Sequence, residues 1–215
     1  MPELDARGTI LTGAKVVDIS SDGEVILGLF TADPEMLQNY ILVWKKNGDL
    51  YEYVELGKDI AYNGPMLQTF FVPEKLSLSG TGRYITIGYK YLDMAVYFMK
   101  LFQHIAVYDL EAGEDTFTVL VDPNYGEINY MAGESEGDLW NMSTLNDGTT
   151  LAVTKGNSSA SPAEGLVYNP VSSTFIDYKN WILQQTEIDI FDNTELTLSG
   201  CPFVSPEGNI MGGAY

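Results

Sequence analysis

A single cysteine, Cys201, stands in the 215 residues, so no intrachain disulfide and no multi-thiolate metal site can form within this chain. It reads as a small core residue. The single histidine, His104, excludes histidine-rich metal sites and leaves one imidazole base at most for a Ser-His-Asp arrangement. No G-x-S-x-G elbow accompanies it, and it reads as a strand histidine with a local hydrogen bond. Basic residues are also scarce: 11 Lys and Arg face 30 Asp and Glu, a net charge of −19. Such a field repels phosphates, and nucleic acid is not expected as a partner. The longest apolar stretch, MAVYFMKLFQHIAVYDL from Met94, is interrupted by Lys100, Gln103 and His104, so no membrane span is expected. The opening MPELDARGTILTG has neither the basic nor the apolar region of a signal peptide. In a fragment of a longer protein that absence excludes no compartment.

What the chain does have is apolar mass. Hydrophobic residues make up 45% and aromatics 12%, with only 19% charged, enough buried surface to offset the entropy of ordering. A pattern recurs through it. VVDISSDGEVILGLF from Val16, KLSLSGTGRYITIGYKY from Lys75, LWNMSTLNDGTTLAVTKG from Leu139 and CPFVSPEGNIMGGAY from Cys201 each set two apolar runs around a polar turn. The turns end in Gly23, Gly82, Gly148 and Gly208, a period of about sixty residues. The second run reaches a further glycine at Gly28, Gly88 and Gly213.

A second hairpin signal follows each of the first three turns, with a valine before an aromatic: Val43-Trp44, Val107-Tyr108 and Val167-Tyr168. Asp22-Gly23, Asn47-Gly48 and Asp147-Gly148 supply turns between β-rich runs. Two hairpins make a four-stranded antiparallel sheet. YILVW and HIAVY are apolar on successive residues, so both sheet faces are expected to be covered. The expected fold class is therefore all-β, a β-propeller of about 3.5 four-stranded antiparallel blades. The blades span about 14–57, 74–122 and 138–180, with a half blade over 196–215. GTILTG near the start can add one strand to the last of these. An open ring exposes an apolar face, so the partners expected are further blades of the same protein or a second copy of the chain.

Insertions within and between these units are expected to carry binding. TADPEMLQNY predicts a short helix capped by Asp33, with Pro34 and Glu35 in its first turn. Tyr97, Phe98 and Phe102, in the insertion of the second unit, read either as packing on their own blade or as a contact surface. Trp181 in the connector NWILQQTEIDIFDNTE has the same two readings.

ISSDGEVILGLF followed by VWKKNGDL, and again VSPEGNIMGGAY, resemble the HAF-type extracellular repeat, an I-S-x-D-G-x-x-I-x-G run followed by an aliphatic-Trp-x-x-x-G run. Looser similarity extends to the S-P-D-G units of TolB-like bacterial β-propellers. The second unit has Gly80-Thr81-Gly82 in place of Asp-Gly, and the second and third have Tyr108 and Tyr168 where Trp44 stands in the first. The resemblance implies an extracellular, cell-surface or periplasmic bacterial propeller, and it carries over no catalytic residue.

Signals for chemistry are few. The glycines of SGTGRYITIG are followed by a strand rather than a helix, so the dinucleotide fingerprint lacks its phosphate-binding helix N-terminus. The adjacent Asp and Gly of SSDGEVI and LNDGTTL do not match a sialidase-type Asp box. AGESEGDLW sets Glu134, Glu136 and Asp138 at alternate positions before Trp140. On a loop these can hold a calcium ion or approach a sugar ring, and they are the candidate ligand-binding residues. Asp122, Asn124 and Glu127 lie just upstream. The functional expectation is a non-enzymatic binding or scaffold module for a protein or glycan, with no obligatory cofactor. The alternative is a propeller glycoside hydrolase or lyase using these carboxylates, which requires two carboxyl groups about 5 to 9.5 Å apart.

Overall fold

The computed structural model describes residues 14–33, 38–54, 56, 69–93, 100–112, 118–119, 121–122, 126–127, 130–132, 136–156, 164–170, 172–187, 203–208 and 211–212. These form antiparallel β-sheets and one short helix, an all-β architecture. The first sheet orders β1 (Lys15–Ile19), β2 (Val25–Asp33), β3 (Gln38–Asn47) and β4 (Leu50–Val54) consecutively. The second is built on β5 (Thr69–Leu78), β6 (Tyr84–Asp93) and β7 (Lys100–Asp109). Two short strands share the outer side of β7: β8 (Thr118–Val119) pairs Ala106 and Val107, and β11 (Tyr130–Ala132) pairs Leu101 to Gln103. Between them β9 (Val121–Asp122) and β10 (Gly126–Glu127) form a separate pair. The third sheet orders β12 (Glu136–Thr144), β13 (Thr150–Gly156), β14 (Glu164–Asn169) and β15 (Thr174–Asp177). After it come helix α1 (Tyr178–Thr186) and the hairpin β16 (Phe203–Val204) and β17 (Met211–Gly212).

The period-two alternation of strands divides each run between two neighbours. In the second sheet Leu78, Ile85, Ile87, Ala106 and Tyr108 face Val25, Leu27 and Val43 of the first. Ile105 and Val107, the alternate residues of β7, face Met142, Ala152 and Tyr168 of the third. The successive apolar residues of HIAVY thus fill two cores, as runs buried on both faces do. Leu27, Val43, Ile85, Ile87 and Ala106 have no exposed surface. Each of the four larger side chains contributes roughly 1.5–3 kcal/mol by leaving water. A buried hydroxyl chain crosses the second interface: Thr144 Oγ1 donates to Thr86 Oγ1 at 2.8 Å, and Thr86 and Thr150 hydroxyls lie 2.9 Å apart. Tyr168 packs on Phe175 with ring centroids 4.9 Å apart. In the first sheet Trp44 lies over Gly28, where a Cβ would stand 2.8 Å from the indole Cζ3. Gly88 is buried in β6 opposite Ile105.

One expectation is corrected here. Thr31 and Asp33 belong to β2 and pair with Asn39 and Gln38 of β3, so the predicted Asp33 helix cap is a hairpin end instead. Pro34 and Glu35 lie outside the described residues, as do Tyr97, Phe98, Cys201 and the GTILTG segment. The helix is found elsewhere. Asp177 caps α1, accepting from Asn180 N at 3.0 Å, and Glu187 closes it with φ 58° and its N–H on Leu183 O. Tyr178, Trp181 and Ile182 occupy one helical face and cover Leu145, Leu151 and Val167 on the far side of the third sheet. Of the two readings of Trp181, packing on its own sheet is the one observed. No described helix is long and apolar enough to cross a membrane.

Candidate functional site

Four turns share one geometry. In Ser20-Ser21-Asp22-Gly23, Gly23 N donates to Ser20 O at 2.9 Å, and the same bond joins Gly82 to Ser79, Gly148 to Leu145 and Gly208 to Ser205. The closing glycine has φ between 73° and 85° in each case, the left-handed region that glycine enters without strain. Ser20 Oγ accepts from Val25 N at 2.9 Å and donates to Asp22 Oδ1 at 2.7 Å. Ser79 Oγ accepts from Tyr84 N at 3.0 Å in the second turn. The N–H of Glu24 and the hydroxyl of Ser20 hold the Asp22 carboxyl below its ordinary range.

These turns are bonded to one another across long sequence separations. Ser21 N donates to Gly80 O at 2.8 Å, Thr81 N to Asn146 Oδ1 at 2.9 Å, and Asn146 N to Pro206 O at 2.8 Å. Beneath them Leu78 N donates to Asp18 Oδ2 at 2.9 Å, tying β5 to β1. Gly80 sits where the second and fourth turns meet. A Cβ there would lie 2.5 Å from Pro206 Cβ and 2.8 Å from Ser21 Oγ. Gly80 stands where Ser21 does in the first turn, and this crowding is a packing cause for glycine there.

An open cleft of roughly 260 Å³ lies beside this cluster, between the third turn, the fourth turn and α1. Leu145, Trp181 and Pro206 supply its apolar wall, and Trp181 is 93% buried and stacked on Tyr178 at 6.1 Å. Its polar lining is amide and carboxylate: Asn146, Asn169, Gln185, Asp147 and Glu207, with Thr149. Asp147 is oriented by Thr149, whose N–H and hydroxyl donate to its two oxygens at 2.8 and 3.0 Å. Among the described residues lining the cleft, none is cationic. Asn146 Oδ1 accepts from Thr81 N and Asn169 Oδ1 from Ser172 N, so the carboxylates of Asp147 and Glu207 set the character of the cleft, which suits a ligand that brings positive charge.

Among the described residues the shortest ion pair lies away from the cleft. Arg83 grips Asp109 through Nε and Nη2, at 3.0 and 2.7 Å to Oδ2, stacks over Tyr84 at 5.0 Å, and reaches Glu111 at 3.3 Å. Burial pushes the Asp109 carboxyl up, but Arg83 and the N–H groups of Glu111 and Ala112 outweigh it, and the net shift is downward.

The residues singled out in the sequence are placed as follows. Glu136, Asp138 and Trp140 belong to strand β12, not to the loop expected for them. The β12–β13 register shifts between Glu136 and Leu139 and between Leu139 and Asn141. Glu134 and Gly213 lie outside the described residues, and so does Asn124, while Asp122 and Glu127 belong to β9 and β10. His104 is a residue of β7 opposite Tyr89. Among the described residues no three His, Cys, Asp or Glu side chains converge as a metal site. Sequence reasoning missed Asn146, Gln185 and Glu207. The available signal was Asp177 followed by Tyr178, Trp181 and Ile182, a helix cap and an apolar face that would have set α1 beside the third turn. No family model matches the chain, and no curated protein matches it.

Proposed function

We propose that this chain is a segment of a β-propeller of the HAF-type or TolB-like kind, each of the three large sheets being a blade and β16–β17 the first hairpin of another. It acts as a non-enzymatic binding or scaffold module, taking a protein or glycan through its turns and loops. The observation that carries this reading is the line of four like turns, each hydrogen-bonded to the next at one end of the stacked sheets. Face-to-face burial of the sheets and the sequence resemblance support it. A module of this kind works outside the cytoplasm, on a surface or in the periplasm, where a charge of −19 keeps it soluble. Further blades, or a second copy of the chain, complete the ring.

The test is binding of labelled protein to parallel glycan and peptide arrays, with release of reducing ends or unsaturated products measured on every glycan bound. Retention without turnover is expected. Turnover lost in Glu136→Gln or Asp138→Asn would replace this reading with the hydrolase or lyase, and silence on both arrays would refute it.

A further inference from the structure

We infer that the cleft between the third turn, the fourth turn and α1 receives an arginine side chain of a partner polypeptide. This rests on the binding-module reading and names the ligand chemistry of one site within it. The cleft offers carboxylate oxygens from Asp147 and Glu207, on two turns held together by the Asn146 N to Pro206 O bond. Asp147 accepts two bonds from Thr149, and a carboxylate has about four lone-pair sites, so acceptor capacity remains on an anion already fixed in place. Gln185 adds an exposed amide from α1.

The ligand that matches the two carboxylates brings positive charge and several donors on an apolar stem. A guanidinium carries five N–H donors in a rigid fork on an apolar stem. Leu145 and Pro206 form the wall against which its stem lies, beside the edge of Trp181 that reaches the cleft. At roughly 260 Å³ the cleft is below the range of about 300–1,000 Å³ typical of small-molecule sites, a size suited to one side chain. A sugar ring would need an open indole face, whereas Trp181 is 7% exposed and stacked on Tyr178. The net charge of −19 draws basic segments toward the chain.

The experiment is calorimetric titration of the blocked peptide Gly-Arg-Gly, with blocked Gly-Lys-Gly and methyl α-glucopyranoside as comparators. The arginine peptide is expected to bind with a Kd of about 1 mM, the scale of a single anchoring contact. Binding should be about tenfold weaker for the lysine peptide, which lacks the fork. It should also weaken between about 0.01 M and 1 M salt, as the Debye length falls from about 30 to about 3 Å. Glu207 and Gln185 are both exposed, so Glu207→Gln and Gln185→Lys leave the fold intact, as far-ultraviolet circular dichroism checks. Glu207→Gln should weaken the arginine peptide about tenfold, and Gln185→Lys should abolish its binding. Equal binding by wild type and both variants overturns the inference, as does glucoside binding that Gln185→Lys removes. An array ligand found in the absence of any arginine binding overturns this inference alone, whereas silence in both experiments overturns the binding module as well.

Discussion

Replacing Gly80 by alanine should separate steric crowding from backbone strain in the turn cluster. Gly80 is outside the left-handed region, so an alanine there carries no dihedral penalty, but its Cβ would lie 2.5 and 2.8 Å from Pro206 Cβ and Cγ. Ordinary carbon contacts are about 3.5–4.0 Å, so the fourth turn must retreat by about 1 Å. The same retreat stretches the 2.8 Å bond from Asn146 N to Pro206 O beyond hydrogen-bonding range. Overpacking of this kind costs about 1–3 kcal/mol and the lost bond about 0.5–1.5 kcal/mol. Gly23 is the opposite case: its φ is +73° and nothing lies within 4 Å, so Gly23→Ala carries only the left-handed penalty of about 1–2 kcal/mol. Gly82 combines both, with φ +73° and Val25 Cγ2 at 2.6 Å, and should be the worst of the three. For a chain of this length each kcal/mol lowers Tm by about 2–4 °C, so scanning calorimetry resolves the series. Pairing Gly80→Ala with Pro206→Gly removes the clash, and the double variant should be less destabilised than the sum of the singles. Additive effects, or a Gly80→Ala protein as stable as wild type, would refute the contact between the second and fourth turns.

Two further outcomes are expected. Thr86→Val, at a position with no exposed surface, removes the hydroxyl bonded to Thr144 and Thr150 at 2.8 and 2.9 Å. It should cost about 1–2 kcal/mol in urea melts; the Thr150 and Thr144 hydroxyls keep Gly148 O and Ser77 O as partners at 3.3 Å, so Thr86→Val/Thr150→Val should recover none of the loss. The Asp109 carboxyl is held below its ordinary value of 3.8, so its stabilising contribution is complete above that value and is lost as pH falls through the folded-state pKa. Asp109→Asn should therefore be less stable than wild type near neutral pH, and the difference in Tm should narrow toward about pH 3; a constant difference would show that Arg83 does not stabilise the charged form.

The sequence alone determined the features that arise within a few residues. Gly23, Gly82, Gly148 and Gly208 were legible as turn residues because the left-handed conformation they adopt is a local requirement. The flanking strands were legible because alternation, or a short run apolar throughout, registers how many faces a strand buries. Locally ambiguous signals went the wrong way: Asp33-Pro34-Glu35 reads as a helix start, but the pairing of Thr31 and Asp33 with β3 won. Helix α1 has only nine residues, and its apolar face of Tyr178, Trp181 and Ile182 gains meaning only against Leu151 and Val167. Glu136 and Asp138 looked like a loop because nothing nearby in the chain shows that β12 extends back to Glu136, which pairs with Gly156 of β13. Only the tertiary structure decided that Gly80 must lack a side chain, that Asn146 links two turns, and that Glu207 and Gln185 share a cleft with Asp147. Each of these depends on atoms brought together from distant parts of the chain, and such meetings are fixed by how the sheets stack, which no short stretch of sequence encodes.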